Sequence, residues 1–362
     1  MRWAGSGAAA LAALLLAACG GTARQLAVIA YYPGDSAGFR PYPVAGLTHL
    51  IYSFGHLQDG ELVLAPEAAR STVPALVALK RRQPGLRVLL SLGGWGGCGP
   101  CSEAFASDSG RRRFAASVRR LSDSLGTDGI DLDWEYPAIP GYPGHRYAPE
   151  DRDDFTALVA ALRQAIGPGR EITFAAGGFT DYLLHSVDWR RVMPLVDRVH
   201  LMSYDLVHGY STRTGHHTPL YSTPGQVESV DHAIHLLDSL GVPRRQVAIG
   251  AAFYARIFAG VDSVNGGRYR PGRFARGVSW RGLDSTLGPG FERHWDPVAM
   301  APWAYDAATQ EYATYDDTLS VRLKTRYARR EGLGGIMFWQ LLDDRPAGGL
   351  LDAILAEVTR PR

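Results

Sequence analysis

The run Asp128-Gly129-Ile130-Asp131-Leu132-Asp133-Trp134-Glu135-Tyr136-Pro137 sets four acidic residues in an otherwise strand-like stretch. Acidic side chains are rarely buried unless they are paired or functional. Side chains alternate faces along a strand, so Asp131, Asp133 and Glu135 share one face and Ile130, Leu132 and Trp134 the other. Neighbours on one face lie about 6–7 Å apart. Carboxylates so placed raise one another's pKa and titrate as a coupled set. One of them can then hold a proton near neutrality, which is what a general acid needs. Asp128 has the opposite parity and reads as a structural cap where the strand begins. An ion-paired cluster would need an interspersed Lys or Arg, and the run has none. A single hard cation would need further ligands from elsewhere, because an i, i+2 spacing holds the oxygens too far apart. The histidines of residues 208–217 lie in a loop pattern without a helical His pair, so no metal is expected.

These acids need a frame. Apolar runs recur at residues 26–32, 47–55, 87–95, 129–137, 171–178, 198–205, 246–254 and 334–341. Helical patterns, such as residues 111–126 and 150–167, separate most of them. Alternation of strand and helix implies a parallel sheet, and eight such units make a TIM (β/α)8 barrel, an α/β fold. The acidic face would then point into the barrel, with Glu135 last, at the C-terminal mouth where such barrels keep their chemistry. Residues 255–310 have little helical period and many glycines and aromatics, which predicts a small inserted α+β subdomain. Residues 317–332 then supply the last helix between strands. The barrel as a whole is expected over 26–358.

The 362 residues carry 38 basic and 36 acidic side chains, a formal charge of +2, which gives no reason to expect a nucleic-acid partner. The arginine clusters at 80–87 and 111–120 lack interleaved aromatics and read as solvated helix faces and ends. Nothing in the sequence calls for an oligomer, and a monomer is expected. The first 18 residues hold an early Arg2 and an apolar stretch too short for a membrane span, which reads as an export signal. Leu16-Ala17-Ala18-Cys19 resembles the lipobox of bacterial lipoproteins, in which the cysteine is acylated. That implies a short tether over 19–25 and a membrane-anchored protein at the cell surface, in the periplasm or secreted. Cys98 and Cys101, in Cys-Gly-Pro-Cys, resemble a thioredoxin redox motif. The preceding glycines suggest a loop instead, and export favours a local structural disulfide.

Asp128, Asp131, Asp133 and Glu135 together match the DxxDxDxE signature of glycoside hydrolase family 18, the chitinases and their relatives. Ser91-Leu92-Gly93-Gly94-Trp95, Met202-Ser203-Tyr204-Asp205 and Phe253-Tyr254-Ala255-Arg256 resemble further motifs of that family in the same order. Trp339 sits where the family keeps a tryptophan under the cleaved sugar. The resemblance spans residues 26–345 and implies hydrolysis of β-1,4-linked N-acetylglucosamine, in chitin or its oligomers, without cofactor. It implies a substrate-assisted exception to the usual two-carboxylate scheme. Glu135 would protonate the glycosidic oxygen while the substrate's acetamido carbonyl attacks C1 to form an oxazolinium ion. Asp133 would orient the acetamido N–H, Asp131 would share a proton with Asp133, and Tyr204 would hold the acetamido group. Tyr31, Phe54, Trp95, Tyr136, Met202, Asp205, Arg256 and Trp339 would bind the sugars, and Trp303 and Tyr305 are candidates for a cleft wall. Ala30 and Ala255 replace family glycines without touching the chemistry. Two other readings remain on this resemblance: a sugar-binding lectin, which usually lacks the acid glutamate kept here, and an endo-β-N-acetylglucosaminidase acting on glycans. The sequence shows no separate carbohydrate-binding module, which suggests soluble or cell-proximal oligomers as substrates.

Overall fold

The computed structural model describes residues 26–360, so the expected leader and Cys19 lie outside the described residues. Eight parallel strands close into a barrel: β1 (Ala27–Tyr32), β2 (His49–Gln58), β3 (Arg87–Gly93), β4 (Gly129–Asp133), β5 (Glu171–Gly177), β6 (Arg198–Met202), β7 (Val247–Ala252) and β8 (Gly335–Trp339). Each pairs with the next, and β1 pairs with both β2 and β8, so the sheet has no free edge within the ring. Closure of this kind removes the exposed hydrogen-bonding rows of an open sheet.

The alternation of side chains sorts the core into two layers. Val28, Leu50, Leu90, Ile130, Leu132, Phe174, Leu201 and Phe338 face outward and pack under the helices. Ile29, Ile51, Leu89, Ala248 and Met337 fill the interior. The helix Asp108–Leu125 illustrates the outer layer. Ser107 caps its start by accepting from the Gly110 N–H, Phe114, Ala115 and Val118 face inward, and Gly126 ends it at φ 72°. Its arginines 112, 113, 119 and 120 are exposed, as expected of a solvated face. At the N-terminal end of the barrel, Glu171 meets His49 at 3.0 Å, with Arg87 and Arg198 both at 3.8 Å. Asp128 takes the capping role expected of it. It accepts from the Val88 N–H at 2.8 Å and pairs with Lys80.

Most of the strands are shorter than their apolar runs, and two of the early ends bear on the site. The fourth ends at Asp133, four residues before Pro137, because its partner β3 ends opposite it at Gly93↔Asp133. Glu135 therefore stands on the segment just beyond the strand. The seventh ends at Ala252, and Tyr254 already belongs to a second sheet. That sheet is antiparallel and has five strands, in the order Arg273–Ser279, Tyr254–Ala259, Glu311–Thr314, Ala301–Asp306 and Glu292–Asp296, with the helix Trp280–Thr286 beside it. The inserted strands thus run from Tyr254 to Thr314. The helix Thr318–Arg330 follows and leads into β8.

Candidate active site

Asp131 is fully buried inside the barrel. Its Oδ2 accepts from the hydroxyls of Ser91 on β3 (2.8 Å) and Tyr31 on β1 (3.0 Å). Its Oδ1 accepts from the Thr173 hydroxyl on β5 (2.6 Å) and lies 3.2 Å from His200 Nδ1 on β6. Burial pushes this carboxyl up, but the bonds from His200, Thr173 and Ser91 outweigh it, and the net shift is downward. Asp133 is also buried, and its Oδ1 has no hydrogen-bond partner among the described residues. Burial first, then the charges of Glu135 and Asp131, hold it well above the usual carboxylate range.

Glu135 is partly exposed towards the mouth. Burial raises it to about 7, with a smaller upward push from Asp205 and a downward one from a bond to Tyr136. The fourth strand and the segment just beyond it therefore carry one carboxyl held low, one held well above the usual range and one raised to near neutrality. Divergent environments for neighbouring carboxyls are how acid and base roles are divided.

Tyr204 is buried. Its hydroxyl is 3.9 Å from Met337 Sδ, and its ring meets that of Tyr254 edge-on. Burial and the charges of Asp133 and Glu135 raise its hydroxyl far above the usual range, so it remains a hydrogen-bond donor. Asp205, at φ 56°, is clamped by Arg256 through two bonds of 2.6 and 2.5 Å. Burial pushes Asp205 up, yet His217 and Arg256 pull it below its ordinary value. Arg256 belongs to the first inserted strand, so this clamp ties the second sheet to the barrel mouth.

The aromatic residues form a floor and a rim. Trp339, at the end of β8, stacks on Phe54 with ring centres 5.5 Å apart and planes 15° off parallel. Tyr31 lies under Trp339 at 6.0 Å, almost wholly buried, with its hydroxyl committed to Asp131. Met202 packs into the inner core cluster. Trp95 is 48% exposed and touches Tyr136, Tyr142 and Tyr210, of which the last is 60% exposed. The bonds Ser53–Phe54, Glu135–Tyr136 and Trp339–Gln340 are cis, all beside this floor.

Two glycines of the third-strand motif are demanded by close approach. A Cβ on Gly93 (φ 106°) would lie 2.2 Å from the Asp133 carbonyl oxygen, and one on Gly94 (φ 79°) 2.4 Å from the Phe54 ring. Beyond them, Cys98 and Cys101 are joined, with Cα atoms 5.2 Å apart, and the short helix Cys101–Phe105 starts at the second cysteine.

Trp303 and Tyr305 stand apart from the expectation of a cleft wall. Both are buried in the insertion's own core with Phe258 and Tyr312, where Trp303 stacks on His294 at 4.8 Å and Tyr305 bonds the Val261 carbonyl. Apolar rings on the inner face of a small sheet are needed for its own core. Sequence reasoning also passed over Thr173 and His200, and weighed His217 only as a metal ligand. The first two lie at inward parity on their strands, which was the available signal. A cavity of about 470 Å³ lined by Trp280, Trp295 and Tyr315 holds none of these carboxyls, and its Asp284 is already paired with Arg293 and Arg345. Chemistry rather than size marks the site.

A parallel barrel with a proton-holding carboxyl at its mouth, a buried aspartate pair behind it and a stacked aromatic floor has the make-up of a sugar-cleaving hydrolase. The pattern of Glycosyl hydrolases family 18 matches residues 27–344, and the chain belongs to that family. Chitinase A1 of Niallia circulans is 30% identical over 294 residues, covering 74% of this chain and 42% of that protein. Chitinase B of Serratia marcescens is 29% identical over 392 residues, covering 87% and 78%. The chain thus spans from about two fifths to four fifths of the length of these relatives. Among solved structures, a family 18 N-acetylglucosaminidase from Paenibacillus barengoltzii superposes with a TM-score of 0.83 at 33% identity, covering 92% of this chain and 99% of that one.

Proposed function

We propose that the protein hydrolyses β-1,4-linked N-acetylglucosamine chains with retention of configuration, by substrate-assisted catalysis. The observation that carries this reading is the pairing of Glu135, raised to about 7, with an Asp133 whose Oδ1 is buried and unpartnered. A buried polar atom without a partner is costly unless a ligand completes it. The N–H of a 2-acetamido group is a donor of the right kind. With Asp133 orienting that group, its carbonyl oxygen attacks C1 as Glu135 gives its proton to the leaving oxygen, forming an oxazolinium ion. Glu135, now a base, takes a proton from the water that opens the ring from the same face. The tethered nucleophile replaces a second carboxylate, with the advantage of an intramolecular reaction. Tyr204 holds the acetamido group, and Trp339 stacks under the sugar at the cut. Trp95 and Tyr136 bind neighbouring sugars, while Asp205 and Arg256 offer polar contacts at the mouth.

The Paenibacillus structure, named an N-acetylglucosaminidase and nearly coextensive with this chain, favours a second reading in which single sugars are released from a chain end. Cleavage of an N-acetylglucosamine tetramer, followed by anomer-resolving chromatography, tests both. Retention predicts β-anomeric products, and Glu135→Gln should lower kcat by about 10²–10⁴-fold, the usual contribution of a general acid. α-Anomers would overturn the mechanism. Monosaccharide as the first product would select the second reading, and binding without cleavage would select a lectin. We also propose that Cys19 carries a lipid anchor; Cys19→Ser should move the protein from the membrane fraction to the soluble one.

A further inference from the structure

His200 has no assigned part in this chemistry, yet it is fully buried against the acid cluster. A carboxylate offers about four lone-pair sites. Three of those of Asp131 are taken by hydroxyls, Tyr31 and Ser91 on Oδ2 and Thr173 on Oδ1, and His200 Nδ1 lies 3.2 Å from Oδ1. A hydroxyl can turn its single hydrogen elsewhere unless another donor holds its oxygen. His200 Nδ1 is hydrogen-bonded to the Tyr31 oxygen, in a direction that the ring fixes.

The hydrogen positions follow from the geometry. His200 Nδ1 is 2.9 Å from the Tyr31 hydroxyl oxygen and 3.2 Å from Asp131 Oδ1. The one hydrogen of Tyr31 goes to Asp131 Oδ2. Tyr31 then has no hydrogen left for Nδ1, so Nδ1 carries one and donates it to the Tyr31 oxygen. Nε2 is buried without a partner, which suits the bare nitrogen of that tautomer. A proton on Asp131 would have to displace one of three hydroxyl donors, whereas Oδ1 of Asp133 faces none.

We propose that His200 is a positioning residue whose Nδ1–H, given to the Tyr31 hydroxyl oxygen, commits that hydroxyl's own hydrogen to Asp131, fixing it as an anion and keeping the proton of the aspartate pair on Asp133. This rests on the hydrolase reading above and alters one part of it, since the two aspartates then do not share the proton evenly. The charged and titratable groups facing the pair are Tyr31, Tyr136, Tyr182, His200, Glu135 and Tyr204, with His49 towards the barrel base.

Two measurements on the full chain test this. Nitrogen-15 NMR of the histidine-labelled protein should find one ring, absent from His200→Asn, with its hydrogen on Nδ1. An Nε2–H ring there would overturn the proposal whether or not the protein cuts sugar, and failure of the wild type to cut any N-acetylglucosamine oligomer would instead sink the hydrolase reading. The second is the pH profile of kcat/KM on the tetramer. His200→Leu removes the donor, so Asp131 protonates more readily and the acid limb should move up by about one pH unit, a tenfold change in proton affinity. Asn places an amide N–H at the Nδ1 position and Gln at the Nε2 position. His200→Asn should therefore keep the wild-type limb, and His200→Gln should behave like Leu. If Leu does not fold, the Asn and Gln pair carries the test. Equal acid limbs in Asn, Gln and wild type would overturn the proposal.

Discussion

At the scale of single residues, the proposed mechanism needs three carboxyls in different states. Glu135 can donate only while protonated, so a folded-state value of about 7 places the alkaline limb of kcat/KM near pH 7, falling tenfold per unit above it. The charge of Asp205 contributes to that raised value. Asp205→Asn should therefore move the limb to lower pH, and a limb that stays put would mean that Glu135 is not the titrating acid. The same shift has a stability consequence. A carboxyl raised from its ordinary 4.5 to about 7 contributes stability below pH 4.5 that is lost as the pH rises through 7. Glu135→Gln removes this ionisation, so the variant should unfold at higher urea than the wild type at pH 8, by on the order of 2 kcal/mol, and show little gain at pH 4. Urea titrations at the two pH values check the sign. An enzyme made more stable by losing its acid is what a strained, functional burial predicts.

At the scale of elements, the barrel was legible because strand and helix patterns alternate on both sides of the insertion, and the parity of Asp131, Asp133 and Glu135 followed from a local run. What was not legible were contacts made across the barrel. Asp131 is bonded from β1, β3 and β5, and His200 on β6, 3.2 Å from it, lies 69 positions away in sequence. An inward histidine on a strand has no local sign of the partner it will meet. The premature end of β4 was hidden for a related reason: it is set by Gly93 on its neighbour, not by its own residues. Gly94→Ala tests the tightness of that neighbour. Its Cβ would collide with the Phe54 ring, which stacks on Trp339, so KM for the tetramer should rise more than kcat falls. A change in kcat alone would separate this loop from the aromatic floor. The base of the barrel makes an opposite pH prediction to Glu135. Burial pushes Glu171 up, but His49, Arg198 and Arg87 bring it down from 4.5 to about 2. Its stabilisation is present above pH 4.5 and is lost as the pH falls through 2. Glu171→Gln should cost on the order of 2 kcal/mol at pH 7 and almost nothing at pH 2, as read by thermal unfolding across that range.

At the scale of the whole molecule, the question is how a barrel keeps its last two strands in register when a five-stranded sheet is spliced between them. One answer is a buried ion pair. Lys324, in the helix that follows the insertion, places Nζ 2.8 and 2.7 Å from the two oxygens of Asp316, and both residues are fully inaccessible. Asp316 also accepts from the Ala252 N–H at the end of β7 and from Ser320, while Lys324 reaches Thr218 beyond β6. Strand, returning chain and helix thus meet at one charge pair where the insertion rejoins the barrel. Such a pair gives little net stability over an apolar replacement, but removing one member leaves a buried charge uncompensated. Lys324→Met should therefore lose about 3–5 kcal/mol. Asp316→Asn added to it should recover part of that loss, since the amide retains an acceptor for Ala252 without the charge. If the double variant is no more stable than Lys324→Met, the uncompensated charge is not the cause. The junction would then be held by the packing of the helix Thr318–Arg330 against β7 and β8.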